Sequence, residues 1–225
     1  MPTDSDRLAS HPPAEQYLEA ISNLTDEGVP VIQARLAERV GHAAPTVCEM
    51  VHRLADAGLV EVVGHLIHLT PEGRRQATSV VRKHRLAERL LADVIGLAWS
   101  KVYAEADRWE HVISDEVEAL LAEALGQPTT CPHGYPIPGS GYQPQSLTLL
   151  ADAKVGDHVR LAKVMEEVQF DHEALTYLED HQFLPDCEAS VTAQGPDGSL
   201  VLNVADRTVV LGVPLAKLLW VTATP

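Results

Sequence analysis

Five side chains that could bind a divalent metal ion occur close together near the middle of the chain. His84 and Glu88 are four residues apart, and Asp107, Glu110 and His111 follow at spacings i, i+3 and i+4. On a helix each set lies on one face. Carboxylates and imidazoles without thiolates suit Mn²⁺, Fe²⁺ or Zn²⁺. The pattern therefore indicates a metal site, although residues spaced in this way more often form weak ion pairs on a solvated helix face.

Three predicted helices must position these residues. We predict a long basic helix from Glu72 to about Ile95, stopped by Gly96, then a helix over residues 99–110 and a third one capped by Ser114. Their apolar residues exceed what one small bundle can bury, so part of the set is expected to form a dimer interface. The set comprises Val80, Leu90, Leu91, Val94, Ile95, Val117, Leu120, Leu121 and Leu125.

The chain ahead of these helices has the pattern of a winged helix. Residues 31–40 and 46–57 predict two short helices joined by a tight turn, and residues 59–70 predict a hairpin around Gly64. This order is typical of a winged helix-turn-helix DNA reader, and the alternative is a small module that binds protein. The predicted DNA contacts are Arg35, Ala43, Pro45, Thr46, Glu49 and Arg53.

Composition limits the classes of function. The formal net charge of −15 opposes nucleic-acid binding, but residues 71–93 are locally basic and bound cations would reduce the repulsion. We expect a cytoplasmic protein, because there is no apolar run of membrane-spanning length, no signal peptide and no CxxC motif. Cys131 and His133 form a C-x-H pair, which we interpret as structural rather than as metal ligands.

The C-terminal part has the pattern of a small β domain. Residues 126–150 are rich in Pro and Gly and indicate a linker, and residues 147–225 predict short strands of a partly open barrel with one helical insertion. Asp171 and Glu173 begin that insertion, either as helix N-terminal charges or as ligands reaching the metal cluster. The predicted domains are residues 1–75, 76–146 and 147–225.

Four stretches resemble the diphtheria toxin repressor / manganese transport regulator family: ARLAERVGHAAPTVCEMV, RKHRLAERLL, DRWEHVISDEVE and PHGYPIPG. The resemblance covers essentially the whole chain. It implies a mainly α fold with a small β domain: an N-terminal winged helix-turn-helix, a helical dimerisation and metal domain, and a C-terminal SH3-like (FeoA-like) barrel.

The resemblance also implies metal ligands. The primary site matches Gln16, Asp107, Glu110 and His111, and Glu19 matches a ligand of manganese-type members. Oxygen ligands replace the Met and Cys of iron-type members, which favours Mn²⁺. The ancillary site matches His84 and Glu88, with Tyr103 where the family has His, and Asp171 or Glu173 as candidates from the SH3-like domain.

The function that the resemblance implies is a manganese-responsive repressor of metal-transport genes. It would bind one or two Mn²⁺ ions per chain (Fe²⁺ or another divalent transition metal being possible) and operator DNA, and form a homodimer through the helical domain. No membrane, small-molecule substrate or enzymatic activity is expected. The alternatives are an iron-responsive repressor of the same fold, a dinuclear metallohydrolase, and a winged-helix protein with a purely structural metal.

Overall fold

The computed structural model describes residues 12–224. The chain forms two compact units. The first consists of the described residues up to His84 together with Glu110–Ile113, and the second of Arg85–Trp109 together with residues from Ser114 onward. No helix in the described part of the chain is both long enough and apolar enough to cross a membrane.

The first unit is a winged helix-turn-helix, as the sequence predicts. Its elements are α1 (Pro12–Asp26), α2 (Gln33–Val40), α3 (Ala44–Asp56), β1 (Val60–Val63), β2 (Leu66–Leu69) and the larger part of α4 (Pro71–Arg89). The strands pair antiparallel with Val63 opposite Leu66. Gly41 ends α2 at φ 68° and Gly64 turns the hairpin at φ 64°, a region of backbone conformation that glycine adopts without steric cost.

One apolar core holds this module together. α1 contributes Tyr17, Leu18 and Ile21, whose spacing at i, i+1 and i+4 places them on one side of the helix. They pack with fully buried residues of the other elements: Leu36 from α2, Val47, Val51 and Leu54 from α3, and Ile67 from β2. Because α1 shares this core with α3, its position is fixed relative to the helix that faces DNA in a helix-turn-helix module.

The helices of the second unit end close to the predicted positions. After Arg89 the chain continues from α4 through a π-helical turn, Leu90–Ile95, and stops at Gly96, whose φ is 75°. α5 (Trp99–Trp109) and α6 (Asp115–Ala124) follow. The Ser114 hydroxyl accepts a hydrogen bond from the backbone N–H of Val117 at 3.3 Å, so Ser114 is the N-cap of α6.

The C-terminal part is a six-stranded antiparallel sheet, in the order β3-β8-β4-β5-β6-β7, around a core of its own. Two short helices, α7 (Glu166–Gln169) and α9 (Val213–Ala216), were not predicted. The remaining elements are β3 (Thr148–Leu149), a 3₁₀ turn (Leu150–Asp152), β4 (His158–Val164), α8 (His172–Asp180), β5 (Glu188–Gln194), β6 (Leu200–Val204), β7 (Arg207–Leu211) and β8 (Leu219–Ala223).

The stretch predicted as a linker contains a buried turn. Thr130 pairs with Pro136, and the Cys131 N–H donates to the Tyr135 carbonyl at 2.8 Å. All residues from 131 to 135 are buried. Gly134 is needed in this turn, because its φ is +88° and a Cβ there would lie 2.0 Å from the Ala162 carbonyl oxygen of β4. The interpretation of the whole stretch as a linker was therefore wrong for residues 129–137.

Candidate metal centre

Three buried side chains from separate parts of the first unit form one possible metal site. Glu19 comes from α1, His84 from α4 and Glu110 from the segment after α5, and one ligand atom of each lies within 4.8 Å of the others. His84 Nδ1 is 2.5 Å from Glu110 Oε2 and 3.9 Å from Glu19 Oε1. We call these residues the first ligand group. They are 5%, 3% and 2% exposed, respectively.

The charges of the first ligand group fit a divalent cation. Two buried carboxylates lie beside one imidazole, and a divalent cation there would offset the cost of burying their negative charges. Glu110 Oε1 makes no hydrogen bond within the described residues, and His111 Nε2 lies 3.4 Å from it. Since a buried carboxylate oxygen normally has a partner, an ion that binds this oxygen would complete the site.

His111 is half-buried beside this group and contacts a residue that the sequence reasoning missed. Its Nδ1 lies 2.7 Å from Glu15 Oε2, so α1 supplies two acids, Glu15 and Glu19. Their i, i+4 spacing is the same signal that singled out His84 and Glu88, and it could have identified Glu15. Gln16, the predicted ligand from α1, is half-buried and belongs to neither group of candidate ligands among the described residues.

Glu88 lies in a different group from His84, with two residues of the buried turn. His133 Nδ1 is 2.7 Å from Glu88 Oε1, and Cys131 completes the second ligand group. All three side chains are almost fully buried. The structure therefore divides the predicted His84–Glu88 pair between two groups. It also places the Cys131–His133 pair, which the sequence analysis interprets as structural, next to the Glu88 carboxylate.

The second ligand group also has features of a metal site. Burial and the neighbouring Glu88 carboxylate raise the pKa of the Cys131 thiol well above its usual value, while Arg85 opposes the shift, so an ion that binds here must displace the thiol proton. His133 Nε2 is buried and makes no hydrogen bond within the described part of the chain. Sulfur, imidazole and carboxylate together suit Zn²⁺ or another borderline-soft divalent ion.

Contacts from both sides hold the turn that carries Cys131 and His133. From α4, Arg89 donates to the Thr130 carbonyl at 2.6 Å, and Arg85 donates to the Pro136 carbonyl. The Trp99 indole donates to the Pro132 carbonyl at 3.0 Å, and its ring lies 4.6 Å from the His133 ring. These bonds satisfy buried carbonyl groups and fix His133 next to Glu88.

The other predicted ligands lie elsewhere. Asp107 is half-buried on α5, and Tyr103 on the same helix donates its hydroxyl to the buried Glu166 carboxylate at 2.9 Å. Asp171 is exposed and caps α8, since its Oδ1 accepts from the N–H groups of Glu173 and Ala174 at 3.1 and 3.0 Å. Among the described residues, neither ligand group includes Tyr103, Asp107, Asp171 or Glu173.

The predicted DNA contacts are accessible. Ala43 is the N-cap of α3, and residues 41–46 form a continuous exposed run. Arg35 on α2 is exposed, and so are Glu49 and Arg53, which lie four residues apart on α3. This face is the one that a helix-turn-helix protein presents to the major groove.

Comparison with known protein families covers nearly the whole chain. The N-terminal DNA binding domain of iron dependent repressors matches residues 11–66, and the metal binding and dimerisation domain of the same repressors matches residues 70–139. The chain belongs to the iron-dependent repressor family. A FeoA domain matches residues 148–223, in agreement with the C-terminal sheet. The fold class predicted from the sequence is thereby confirmed.

Individual relatives agree with this family. The chain is 42% identical to the iron-dependent repressor IdeR of Mycobacterium tuberculosis over 203 residues, which are 84% of this chain and 87% of that protein. It is 44% identical to the diphtheria toxin repressor of Corynebacterium efficiens over 174 residues, 73% and 76% of the two chains.

Solved structures show the same fold. A manganese-dependent transcriptional repressor in complex with manganese matches with a TM-score of 0.81 and 32% identity, over 94% of this chain and 100% of that one. IdeR from T. acidophilum matches with a TM-score of 0.74 and 25% identity, over 93% and 97% of the two chains. This member of the iron-dependent repressor family is therefore a metal-dependent transcriptional repressor with a DNA-binding domain, a dimerisation domain and a divalent-metal requirement.

Proposed function

We propose that this repressor responds to Mn²⁺ and that the ion binds at the first ligand group. The observation that carries the proposal is the convergence of Glu19, His84 and Glu110 in one buried cluster. Two carboxylates and an imidazole form a site without sulfur, which favours Mn²⁺ over softer ions. Glu15 and His111 adjoin the cluster and could extend the coordination or orient its ligands.

An iron-responsive repressor is the second candidate, because the relative from Mycobacterium tuberculosis is named an iron-dependent repressor. The family resemblance favours manganese, since Gln16 and Asp107 stand where iron-type members have Met and Cys. Affinity order alone would favour Zn²⁺ over Mn²⁺ at either group. Selectivity in the cell would therefore depend on coordination number and on metal supply.

The proposed mechanism uses α1 as the link between metal and DNA. A bound ion would join Glu19 on α1 to His84 on α4 and to Glu110. Because α1 shares its core with α3, fixing α1 fixes the orientation of the recognition helix relative to α4. In a homodimer this would set the spacing of the two recognition helices for successive major grooves. The ion can shift this equilibrium only by binding the DNA-competent arrangement more tightly.

We propose the second ligand group as the second metal position. Glu88 was predicted as a ligand, whereas Cys131 and His133 replace the predicted partners His84 and Tyr103. The thiol must lose its proton to bind, so occupancy should rise with pH. Since the sulfur makes this group softer than the first one, we expect it to hold Zn²⁺ or Fe²⁺ more tightly than Mn²⁺.

The predicted dimer surface is supported by exposed apolar side chains in the second unit. Val94 is 66% exposed and Ile95 55%, both in the π-helical turn after α4, and Leu120 on α6 is 58% exposed. Val117, one turn before Leu120 on α6, is 45% exposed. We propose that these four residues contact a second copy of the chain.

Calorimetric titration of the metal-free protein tests the manganese proposal. Mn²⁺ and, without oxygen, Fe²⁺ are titrated into the wild type, Glu19→Gln and the control Glu116→Gln, which removes an exposed acid of α6. We expect one site to be lost in Glu19→Gln and retained in the control. A Glu19→Gln variant that binds as many Mn²⁺ ions as the wild type, with unchanged affinity, would exclude the first ligand group. Because the affinity order places Fe²⁺ above Mn²⁺ at any such site, the iron-responsive candidate is favoured only if saturating Fe²⁺, and not saturating Mn²⁺, tightens the binding of the protein to DNA.

A further inference from the structure

Tyr17 and His42 form a hydrogen bond that belongs to neither ligand group. Tyr17 lies on α1 and is fully buried, and its hydroxyl is 2.9 Å from His42 Nδ1. The two rings are 5.8 Å apart and inclined by 37°. His42 is exposed in the short turn between α2 and α3. The pair therefore connects the core of the DNA-binding module to the turn that precedes the recognition helix.

The location of His42 favours a contact with DNA. It lies within the exposed run 41–46 and directly precedes Ala43, the N-cap of α3. Ala43 has no side chain that could cap the helix, so the first turn of α3 carries no capping side chain at this position. In helix-turn-helix complexes the N-terminal part of the recognition helix enters the major groove. DNA phosphates are contacted there by helix N-termini and by neutral side-chain donors, in addition to Arg and Lys side chains.

The proposal uses the tautomer of His42 in which Nδ1 accepts this hydrogen bond. The phenol of Tyr17 has an O–H group that can donate to Nδ1. A neutral imidazole that accepts at Nδ1 carries its hydrogen on Nε2. Nδ1 is the ring nitrogen that contacts Tyr17, and His42 is exposed. The Nε2–H group is therefore left to donate to a ligand outside the module.

We propose that His42 donates a hydrogen bond from Nε2 to a phosphate of the DNA backbone and that Tyr17 is the positioning residue that holds its ring in that orientation. This inference rests on the DNA-binding function and holds whether the activating ion is manganese or iron. The competing explanation is that a buried tyrosine hydroxyl only needs a partner, in which case His42 contributes to stability and not to DNA affinity.

Fluorescence anisotropy with the full-length, Mn²⁺-loaded protein tests the proposal. The probe is a labelled duplex of random sequence, because phosphate contacts do not depend on sequence. We expect His42→Ala to weaken binding about tenfold, the effect of losing a hydrogen bond to a charged group. His42→Gln should recover part of the affinity through its amide donor. The control His158→Ala removes an exposed imidazole from β4 and should bind as the wild type does.

Tyr17→Phe separates positioning from stability. It retains the buried ring and removes the hydroxyl, so we expect about threefold weaker DNA binding and no further loss when it is added to His42→Ala. Unchanged DNA affinity of His42→Ala would overturn the proposal, and so would a Tyr17→Phe effect that persists in the His42→Ala background. Equal DNA binding by the wild type with and without Mn²⁺ would contradict the proposal that manganese activates the protein. It would leave the proposal for His42 intact, because that proposal is tested by comparing variants on the same duplex.

Discussion

Replacing Glu110 by Gln should remove the response to metal at a limited cost to the metal-free protein. The substitution keeps the shape of the side chain. It weakens a charged hydrogen bond to His84 Nδ1, 2.5 Å long, which favours the wild type by about 1.5–3 kcal/mol. It also removes a buried charge whose Oε1 has no hydrogen bond within the described residues, which favours the variant by about 1–3 kcal/mol. The two effects oppose each other, so the free energies of unfolding should differ by no more than about 2 kcal/mol.

Metal binding then separates the two proteins. At free Mn²⁺ of about 100 times Kd, the wild type should gain about 2.7 kcal/mol. In a chain of this length that corresponds to a rise in Tm of roughly 5–11 °C. Glu110→Gln should lose the part of this gain that comes from the first ligand group, because it lacks a carboxylate ligand there. Scanning calorimetry of both proteins with and without Mn²⁺ measures the difference, and Glu123→Gln, an exposed acid on α6, is the control. A full Mn²⁺-dependent rise in Glu110→Gln would refute the assignment of the first ligand group.

Three further predictions concern the second unit. Cys131→Ser should lower the affinity of the second ligand group for Cd²⁺ at least tenfold and abolish the ultraviolet thiolate–cadmium absorption band. A band that persists in the variant would come from Cys48 or Cys187 and would contradict this assignment. Glu179→Gln should lower the free energy of unfolding by about 1 kcal/mol, since Glu179 accepts from the Trp99 and Ser100 N–H groups at 2.7 and 3.2 Å. Burial alone would raise the pKa of Glu179, but the hydrogen bonds from Ser100 and Trp99 lower it. A carboxylate with a lowered pKa stabilises the fold at pH values above the ordinary glutamate range. The difference in unfolding free energy between the wild type and Glu179→Gln should therefore shrink in denaturation curves as the pH falls below that range. Leu120→Glu should dissociate the dimer in sedimentation at micromolar concentration, and the equally exposed Val155→Glu in the β domain should not; a dimeric Leu120→Glu would exclude the proposed surface.

The sequence contains enough information for the fold and for most of the candidate ligands, but not for how these candidates group. Helical periodicity and turn glycines are local signals, and they predicted α2–α6 and the wing. His84 and Glu88 are about 40° apart around the helix axis, but one turn apart along it. They therefore meet different neighbours, and those neighbours, Glu19 and His133, come from distant parts of the chain. No local pattern specifies such contacts.

The turn at residues 129–137, which is buried from residue 131 to 135, shows a second limit. Its Pro and Gly content indicated a linker, because these residues usually mark exposed loops. Here Gly134 allows the chain to pass within van der Waals distance of β4, and Arg85 and Arg89 satisfy the carbonyl groups of the turn. A buried loop is stable only with such partners. The sequence does not show that the turn packs against α4, so it gives no indication that Glu88 is the third member of the group with Cys131 and His133.

The most direct test of the account is the linkage between metal and DNA. The affinity of the wild type for a duplex selected from a random pool is measured across a range of Mn²⁺ concentrations, and its Mn²⁺ affinity is measured with and without that duplex. We predict that Mn²⁺ tightens DNA binding and that DNA tightens Mn²⁺ binding by the same factor, with both effects absent in Glu110→Gln. Equal DNA affinity in metal-free and Mn²⁺-loaded protein would contradict the claim that the first ligand group controls the DNA-binding module.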